Sequence, residues 1–152
     1  MLILRTICAL LFAHLIFLAG CGGGGGGGSG ESQAKTATGT ITVAGVPTPI
    51  IYGLKLKVTC PAGATFINAV KSGVSPMSSI ITWSTLSATE TNVELASSTG
   101  FSAGEVMKVN FSTVPQSATP ASFDVSVLAA IDSNGAPSLT PLTTATISTV
   151  IN

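Results

Sequence analysis

Cys21 is the residue whose type and position most clearly indicate chemistry. It follows an apolar run over residues 7–18 that begins just after Arg5, and two small residues separate that run from the cysteine. A positive charge, an apolar segment and small residues before a cleavage point are typical of a secretory signal. As a helix, residues 7–19 would span about 20 Å, short of the ~30 Å hydrocarbon core of a bilayer. We therefore expect residues 1–20 to be a cleaved signal peptide rather than a transmembrane helix.

The residues Leu18, Ala19, Gly20 and Cys21 together resemble the lipobox of bacterial lipoproteins. That resemblance implies that the Cys21 sulfur receives a diacylglycerol, that the chain is cut before Cys21, and that the new amino group is acylated. Two or three acyl chains anchor a protein stably, because each buried methylene contributes about 0.8 kcal/mol. The implied partner is a membrane, and the absence of aspartate at position 22 favours the outer membrane by the same resemblance. The sequence thus predicts a lipid-anchored protein of the cell envelope, on its periplasmic or its surface face.

Residues 21–38 are predicted to be a tether. Seven consecutive glycines, Gly22–Gly28, are followed by a polar stretch. Such a segment of about 17 residues behaves as a flexible coil with an end-to-end distance of roughly 20–25 Å. Glycine runs also cradle phosphates, but that use requires a preceding strand and a following helix with Lys-Ser/Thr, and neither pattern flanks this run. We expect the tether to connect the lipid to one folded domain, residues 39–152.

The composition after residue 20 excludes several function classes. It contains five lysines, no arginine, no histidine and six acidic residues, a formal charge of −1. Nucleic acid is not expected as a partner, because its phosphates require clustered Lys and Arg. A Ser-His-Asp arrangement is impossible without histidine, and the acids are scattered along the chain. The sequence predicts a protein that is not an enzyme and carries no cofactor.

Asp132 to Gly135 partly match the beginning of a calcium-binding loop. A third oxygen ligand is missing, and no glutamate follows at the twelfth position of such a loop. The Asn-Gly step is typical of a tight turn that needs a positive φ. We favour the turn, and we expect no metal site.

Alternating patterns predict strands throughout the domain. Residues 50–60 place Ile50, Tyr52, Leu54, Leu56, Val58 and Cys60 on one side and charged or polar residues on the other. Residues 105–113 and 123–131 alternate in the same way, the latter with Phe123, Val125, Val127, Ala129 and Ile131 on one face. Further candidate strands are residues 40–43, 79–86, 92–97 and 144–151. Short strands separated by Gly, Pro, Asn and Ser predict an all-β fold, an antiparallel β-sandwich of about 7–9 strands.

Three segments of this domain resemble cohesins, which belong to a superfamily that includes carbohydrate-binding modules. They are GLKLKVTCPAGATF, TGFSAGEVMKVNFSTVP and SFDVSVLAAIDSNGAPSLTPLTTATISTV. The resemblance implies a nine-stranded jelly-roll sandwich that binds a helical dockerin-like protein, or a polysaccharide, without covalent chemistry. The other interpretation of the domain is a structural envelope protein that associates with copies of itself.

Candidate ligand-binding residues are few. Trp83 is a candidate for stacking on a sugar, although a core position is the more common role of a tryptophan. Lys55 and Lys57 are clustered polar groups on the hydrophilic face of their strand, which is either a recognition surface or ordinary solvent cover. Cys60 would be the unpaired thiol of the domain, and its place at the end of an apolar strand favours a buried, structural role.

Overall fold

The computed structural model of the protein describes residues 34–45 and 51–152, which form eight strands and two short 3-10 turns. The strands are β1 (Lys35–Ala44), β2 (Ile51–Thr59), β3 (Thr65–Lys71), β4 (Ile80–Thr85), β5 (Glu90–Phe101), β6 (Gly104–Val114), β7 (Asp124–Ile131) and β8 (Thr144–Ile151). The 3-10 turns, Pro120–Ser122 and Thr140–Leu142, precede β7 and β8. The predicted signal peptide, Cys21 and most of the tether lie outside the described residues, as does Ile50.

The strands form two four-stranded antiparallel sheets. Sheet A has the order β3-β6-β1-β8, and sheet B has the order β4-β5-β2-β7. Most connections cross from one sheet to the other, so the apolar faces of both sheets enclose a common core. β3 lies beside β4 along one open side of the sandwich, and β7 lies beside β8 along the other. The predicted all-β antiparallel sandwich is confirmed.

The core comes from the alternation that the sequence shows. Leu54, Leu56 and Val58 on β2 are at most 2% exposed, whereas Lys55 and Lys57 between them face solvent. Each such apolar side chain contributes about 1.5–3 kcal/mol when it leaves water. Other fully buried side chains come from both sheets, among them Ile41, Val43, Ile51, Val93, Leu95, Val106, Met107, Val109 and Phe111.

Tyr52 departs from the predicted alternation. The pairing of β2 with β5 shifts register between Ile51 and Gly53, so Ile51 is fully buried and Tyr52 is half-buried. A bulge adds one residue to a strand and thereby changes the face of every residue beyond it. The prediction that Tyr52 belongs to the inward face was wrong for this reason.

A second bulge changes the end of β7. Lys55 is paired with Ala129 and Leu56 with Val127, which leaves Leu128 without a direct partner in this ladder. Beyond the bulge it is Ala130 that is completely buried, whereas Ala129 is half-buried. The inward positions predicted for Ala129 and Ile131 were therefore wrong, because these residues pair with the outward positions Lys55 and Gly53 of β2.

β1 begins at Lys35, four residues before the predicted domain boundary at Gly39. Ala37 is 1% exposed in the core, and the Thr38 hydroxyl donates to Oδ1 of Asn110 at 3.0 Å. These contacts extend the sandwich into residues that the sequence assigned to the tether. The composition there is small and polar, which is typical of a linker and equally compatible with the outward face of a strand.

β3 was not predicted as a strand. Its pairing with β6 shifts register between Phe66 and Asn68, and Ile67 at the shift is half exposed. The bulge interrupts the two-residue alternation within a strand of seven residues. Too few residues remain on either side of it to show a pattern.

Candidate functional site

The predicted lipid-attachment segment, Leu18 to Cys21, lies outside the described residues, and its assignment stays a prediction. Within residues 34–45 and 51–152, no helix is long and apolar enough to cross a membrane.

Lys55 and Lys57 lie on the outer face of sheet B and are both engaged in ion pairs with β5. Nζ of Lys55 is 2.8 Å from Oε1 of Glu94, which stands directly opposite it. Nζ of Lys57 is 3.1 Å from Oε1 of Glu90, which lies diagonally across the ladder, two residues from Asn92, the direct partner of Lys57. Exposed pairs of this kind contribute about 0–1 kcal/mol. Each lysine ammonium already has a carboxylate beside it, which reduces its ability to attract a negatively charged ligand.

Trp83 connects the core to the surface. Its ring centroid is 6.1 Å from that of Phe66, which in turn lies 5.7 Å from Phe111 in an edge-to-face contact. Phe111 packs 4.9 Å from Phe123. These four rings run from the interior to the open side between β3 and β4, where Trp83 remains 45% exposed. Trp83 is therefore partly a core residue and partly a surface residue.

The three predicted ligand-binding residues do not form one site. Trp83 is paired with buried Val93, so its side chain leaves β4 toward the core side of sheet B. The outward neighbours on β4 are instead Ile80, Thr82 and Ser84, as Thr82 is the residue paired with Glu94. The lysines and the tryptophan thus lie on opposite faces of the same sheet.

The described aromatic residues do not form a flat row on the surface. Phe101, Phe111 and Phe123 are at most 4% exposed, and Phe66 packs against the core. A module that grips a polysaccharide by stacking needs several rings presented side by side. The arrangement offers Trp83 alone among the described aromatic residues as a strongly exposed ring.

Cys60 lies at the end of a depression of about 310 Å³ between the turn after β2 and the turn after β4. The thiol is buried, and its nearest acceptor is the carbonyl oxygen of Ala64 at 3.8 Å. Burial raises the pKa of the Cys60 thiol, which keeps it protonated and weakly nucleophilic near neutral pH. The expected structural role of Cys60 agrees with this environment.

Asp132 organises the turn that follows β7. Its Oδ1 accepts hydrogen bonds from the backbone N–H of Asn134 at 2.8 Å and of Ala136 at 3.1 Å, and its Oδ2 accepts the Ser138 hydroxyl. The Ser138 hydrogen bond first, and then the two backbone hydrogen bonds, lower the pKa of the Asp132 carboxyl. Gly135 has a φ of +79°, as the predicted turn requires. The carboxylate oxygens are occupied by their own loop, and the described residues hold no cluster of three metal-ligating side chains.

The largest group of exposed apolar side chains was not foreseen as a site. Of the ten large hydrophobic residues that are strongly exposed within the described ranges, seven lie between residues 67 and 86. They are Ile67, Val70, Val74, Met77, Ile80, Trp83 and Leu86, and we call them the β3–β4 edge. The sequence signal was present, because residues 72–89 contain no charged side chain. Its meaning depended on knowing that both strands are the end strands of their sheets.

Comparisons of this chain with protein-family models, curated proteins and solved structures found no match. The resemblances to bacterial lipoproteins and cohesins therefore stay predictions.

Proposed function

We propose that the protein is a lipid-anchored binding module of the cell envelope that acts by non-covalent docking and not by catalysis. The observation that carries this proposal is the position of Cys21, between an apolar signal-like run and a glycine-rich segment. A folded sandwich begins at Lys35, only a short chain length after that cysteine. Acylated Cys21, the tether and the sandwich would hold the domain close to the outer membrane while leaving its surface accessible.

The absence of catalysis is supported by the chemistry of the domain. After residue 20 the sequence contains no histidine. Glu90 and Glu94 are held in ion pairs with lysines, and Asp132 is engaged by its own turn. A hydrolase needs a nucleophile with a base, or two convergent carboxylates, and these acids serve the fold instead.

Between the two ligand classes that the cohesin resemblance implies, the geometry favours a protein over a polysaccharide. Most of the rings that would stack on sugars are buried, and Lys55 and Lys57 are paired with acids. The β3–β4 edge offers apolar side chains at the end of each sheet, which suits contact with another polypeptide. A structural envelope protein that associates with itself is the second candidate, and the uncharged stretch 72–89 favours it.

The anchoring part of the proposal is tested by Cys21→Ser in the full-length chain, with Cys60→Ser as the matched control. Replacing the acylated sulfur should move the protein from the membrane fraction to the soluble fraction or block its processing. Cys60→Ser removes a thiol from the folded domain and should leave membrane association unchanged. Membrane association of Cys21→Ser equal to that of wild type, with the apolar run retained, would contradict the lipid anchor.

The docking part is tested separately by applying the purified full-length chain to a glycan array. The proposal predicts that no glycan on the array binds the wild-type chain in a way that depends on Trp83. A glycan bound by the wild type and lost in Trp83→Ala would show that the module recognises carbohydrate through its exposed ring, in contradiction to the protein partner.

A further inference from the structure

The free edge of β4 is the surface from which a further function can be inferred. β4 is an end strand of sheet B and, within the described residues, pairs along one side with β5. Its register with β5 is continuous from Ile80 opposite Ala96 to Thr85 opposite Thr91. The pairing with β5 therefore contains no bulge, and within the described residues no further strand of sheet B pairs with the other side of β4.

Proteins commonly protect such an edge with a lysine, a proline, a bulge or an inward-pointing charge. β4 has the sequence IITWST and contains none of these. By contrast, β3 carries Lys71 and a register shift, and β7 carries Asp124 and a register shift. β8 is also uncharged, but threonine and serine dominate its exposed positions. β8 also has an unbroken register, but it exposes one large hydrophobic residue, Val150, whereas β4 exposes both Ile80 and Trp83.

The loop that leads into β4 is held firmly by hydrogen bonds. Nζ of Lys71 donates to the carbonyl oxygens of Met77 and Ser79, and the backbone N–H of Val74 donates to the carbonyl of Glu105 at 2.7 Å. Gly73 has a φ of +57° and lies against the Glu105 backbone, where a Cβ would clash. An edge that is already ordered loses little conformational entropy when it binds a partner.

We propose that β4 pairs in antiparallel orientation with β4 of a second copy of this chain. In a two-fold antiparallel pairing the residue on the axis meets its own copy and every other residue meets one from the same strand, so like charges on β4 would lie close together. The 18 residues from 72 to 89 contain no charge, so self-pairing sets no like charges of β4 itself against each other. The nearby Lys71 ammonium is engaged by the carbonyl oxygens of Met77 and Ser79. A partner with a strongly charged strand would find no complementary group there. The inference deepens the second candidate function, since it names the surface through which copies would associate, and it does not require Cys21 to be lipidated.

The pleat restricts the register of this pairing. When a strand pairs with its own copy, residues opposite each other point to the same face, so their numbers must be both even or both odd. The register centred on Thr82 satisfies this rule and pairs Thr82 with itself on the outer face. On the core side this register pairs Trp83 of each copy with Ile81 of the other copy, which gives two such pairs per dimer. Aromatic and β-branched residues make favourable cross-strand pairs, and the exposed part of Trp83 becomes covered.

The test is disulfide crosslinking of the full-length chain carrying Thr82→Cys, with a mild added oxidant and non-reducing electrophoresis. Opposite residues of an antiparallel pair have Cα atoms about 4.5–5.5 Å apart, within the range of about 4.4–6.8 Å for disulfides. We expect a reducible species of twice the chain mass. Ser84→Cys is the matched control, since in this register the two copies of residue 84 are offset by four positions, or about 13 Å. It should crosslink several times less.

Two results would overturn the proposal. One is equal crosslinking of Thr82→Cys and Ser84→Cys, which would indicate random collision. The other is a wild-type chain that sediments as a monomer at every concentration in detergent, because this result does not depend on any substitution. As a second variant, Thr82→Lys sets two ammonium groups against each other and should abolish the dimer, whereas Ser126→Lys on β7 should retain it. Circular dichroism of each variant verifies that the sandwich is folded.

Discussion

At the scale of single residues, the polar groups of this domain mainly support the fold. Lys55 and Lys57 are paired with glutamates of the neighbouring strand, and Asp132 closes the turn after β7. Asn110 accepts from Thr38 and donates to Oδ1 of Asn68 at 2.8 Å, which connects three strands of sheet A on its outer face. These polar groups therefore already have partners within the fold.

Asp132→Asn is expected to destabilise the domain in a pH-dependent manner. The folded pKa of Asp132 is lowered by its hydrogen bonds, so its contribution is present above the unfolded pKa, about 3.9, and is lost as the pH falls through the folded value. The difference in stability between wild type and Asp132→Asn should be largest near neutral pH and shrink in acid. Urea unfolding at several pH values measures it, and Asp124→Asn controls for the loss of one negative charge. A difference that stays constant down to the most acid pH would contradict the assigned role.

At the scale of elements, bulges decide where the sequence pattern agrees with the structure and where it does not. β8 was predicted with its observed bounds, because its register with β1 is unbroken. Tyr52 and Ala129 follow register shifts and lie on other faces than predicted. A single sequence shows the alternation of one strand but not the position of its partner, so bulges stay hidden until the strands are paired.

The same reasoning applies to the candidate site. Lys55 and Lys57 were visible as clustered charges, but their pairing with Glu94 and Glu90 depends on the register of β2 against β5. Trp83 was visible as a candidate for stacking on a sugar, but its position at a sheet end depends on strand order. The candidate residues could be identified from the sequence, whereas their contact partners in the folded domain could not.

Gly39→Val tests the packing on the inward face of sheet A, where β1 lies between β6 and β8. A Cβ at residue 39 would lie 2.9 Å from Cγ1 of Ile147 and 3.1 Å from Cγ2 of Val109, tighter than ordinary contacts. Overpacking of this kind costs about 1–3 kcal/mol, and thermal unfolding should show a correspondingly lower midpoint. Thr40→Val, on the opposite face of β1, is the matched control. Equal stability of Gly39→Val and Thr40→Val would show that the interior is less closely packed at this point.

At the scale of the whole molecule, the chain combines a signal-like start, a glycine-rich segment and one β-sandwich. An apolar, signal-like start and a glycine-rich segment precede a sandwich in which Lys55 and Lys57 are paired with Glu94 and Glu90. On this account the lipid supplies the location, the tether supplies reach, and the β3–β4 edge supplies contact with other polypeptides. Confinement to a membrane raises the effective concentration of two copies, which favours the proposed pairing through β4.

The measurement that tests the central claim most directly is the intact mass of the protein purified from membranes of a bacterial host. The account predicts a chain that begins at Cys21 and carries the added mass of a diacylglycerol and an amide-linked acyl group. Fragmentation should place all of the added mass on Cys21. A chain that retains residues 1–20 without added mass would contradict the lipid anchor, and with it the proposed location and the role of the tether.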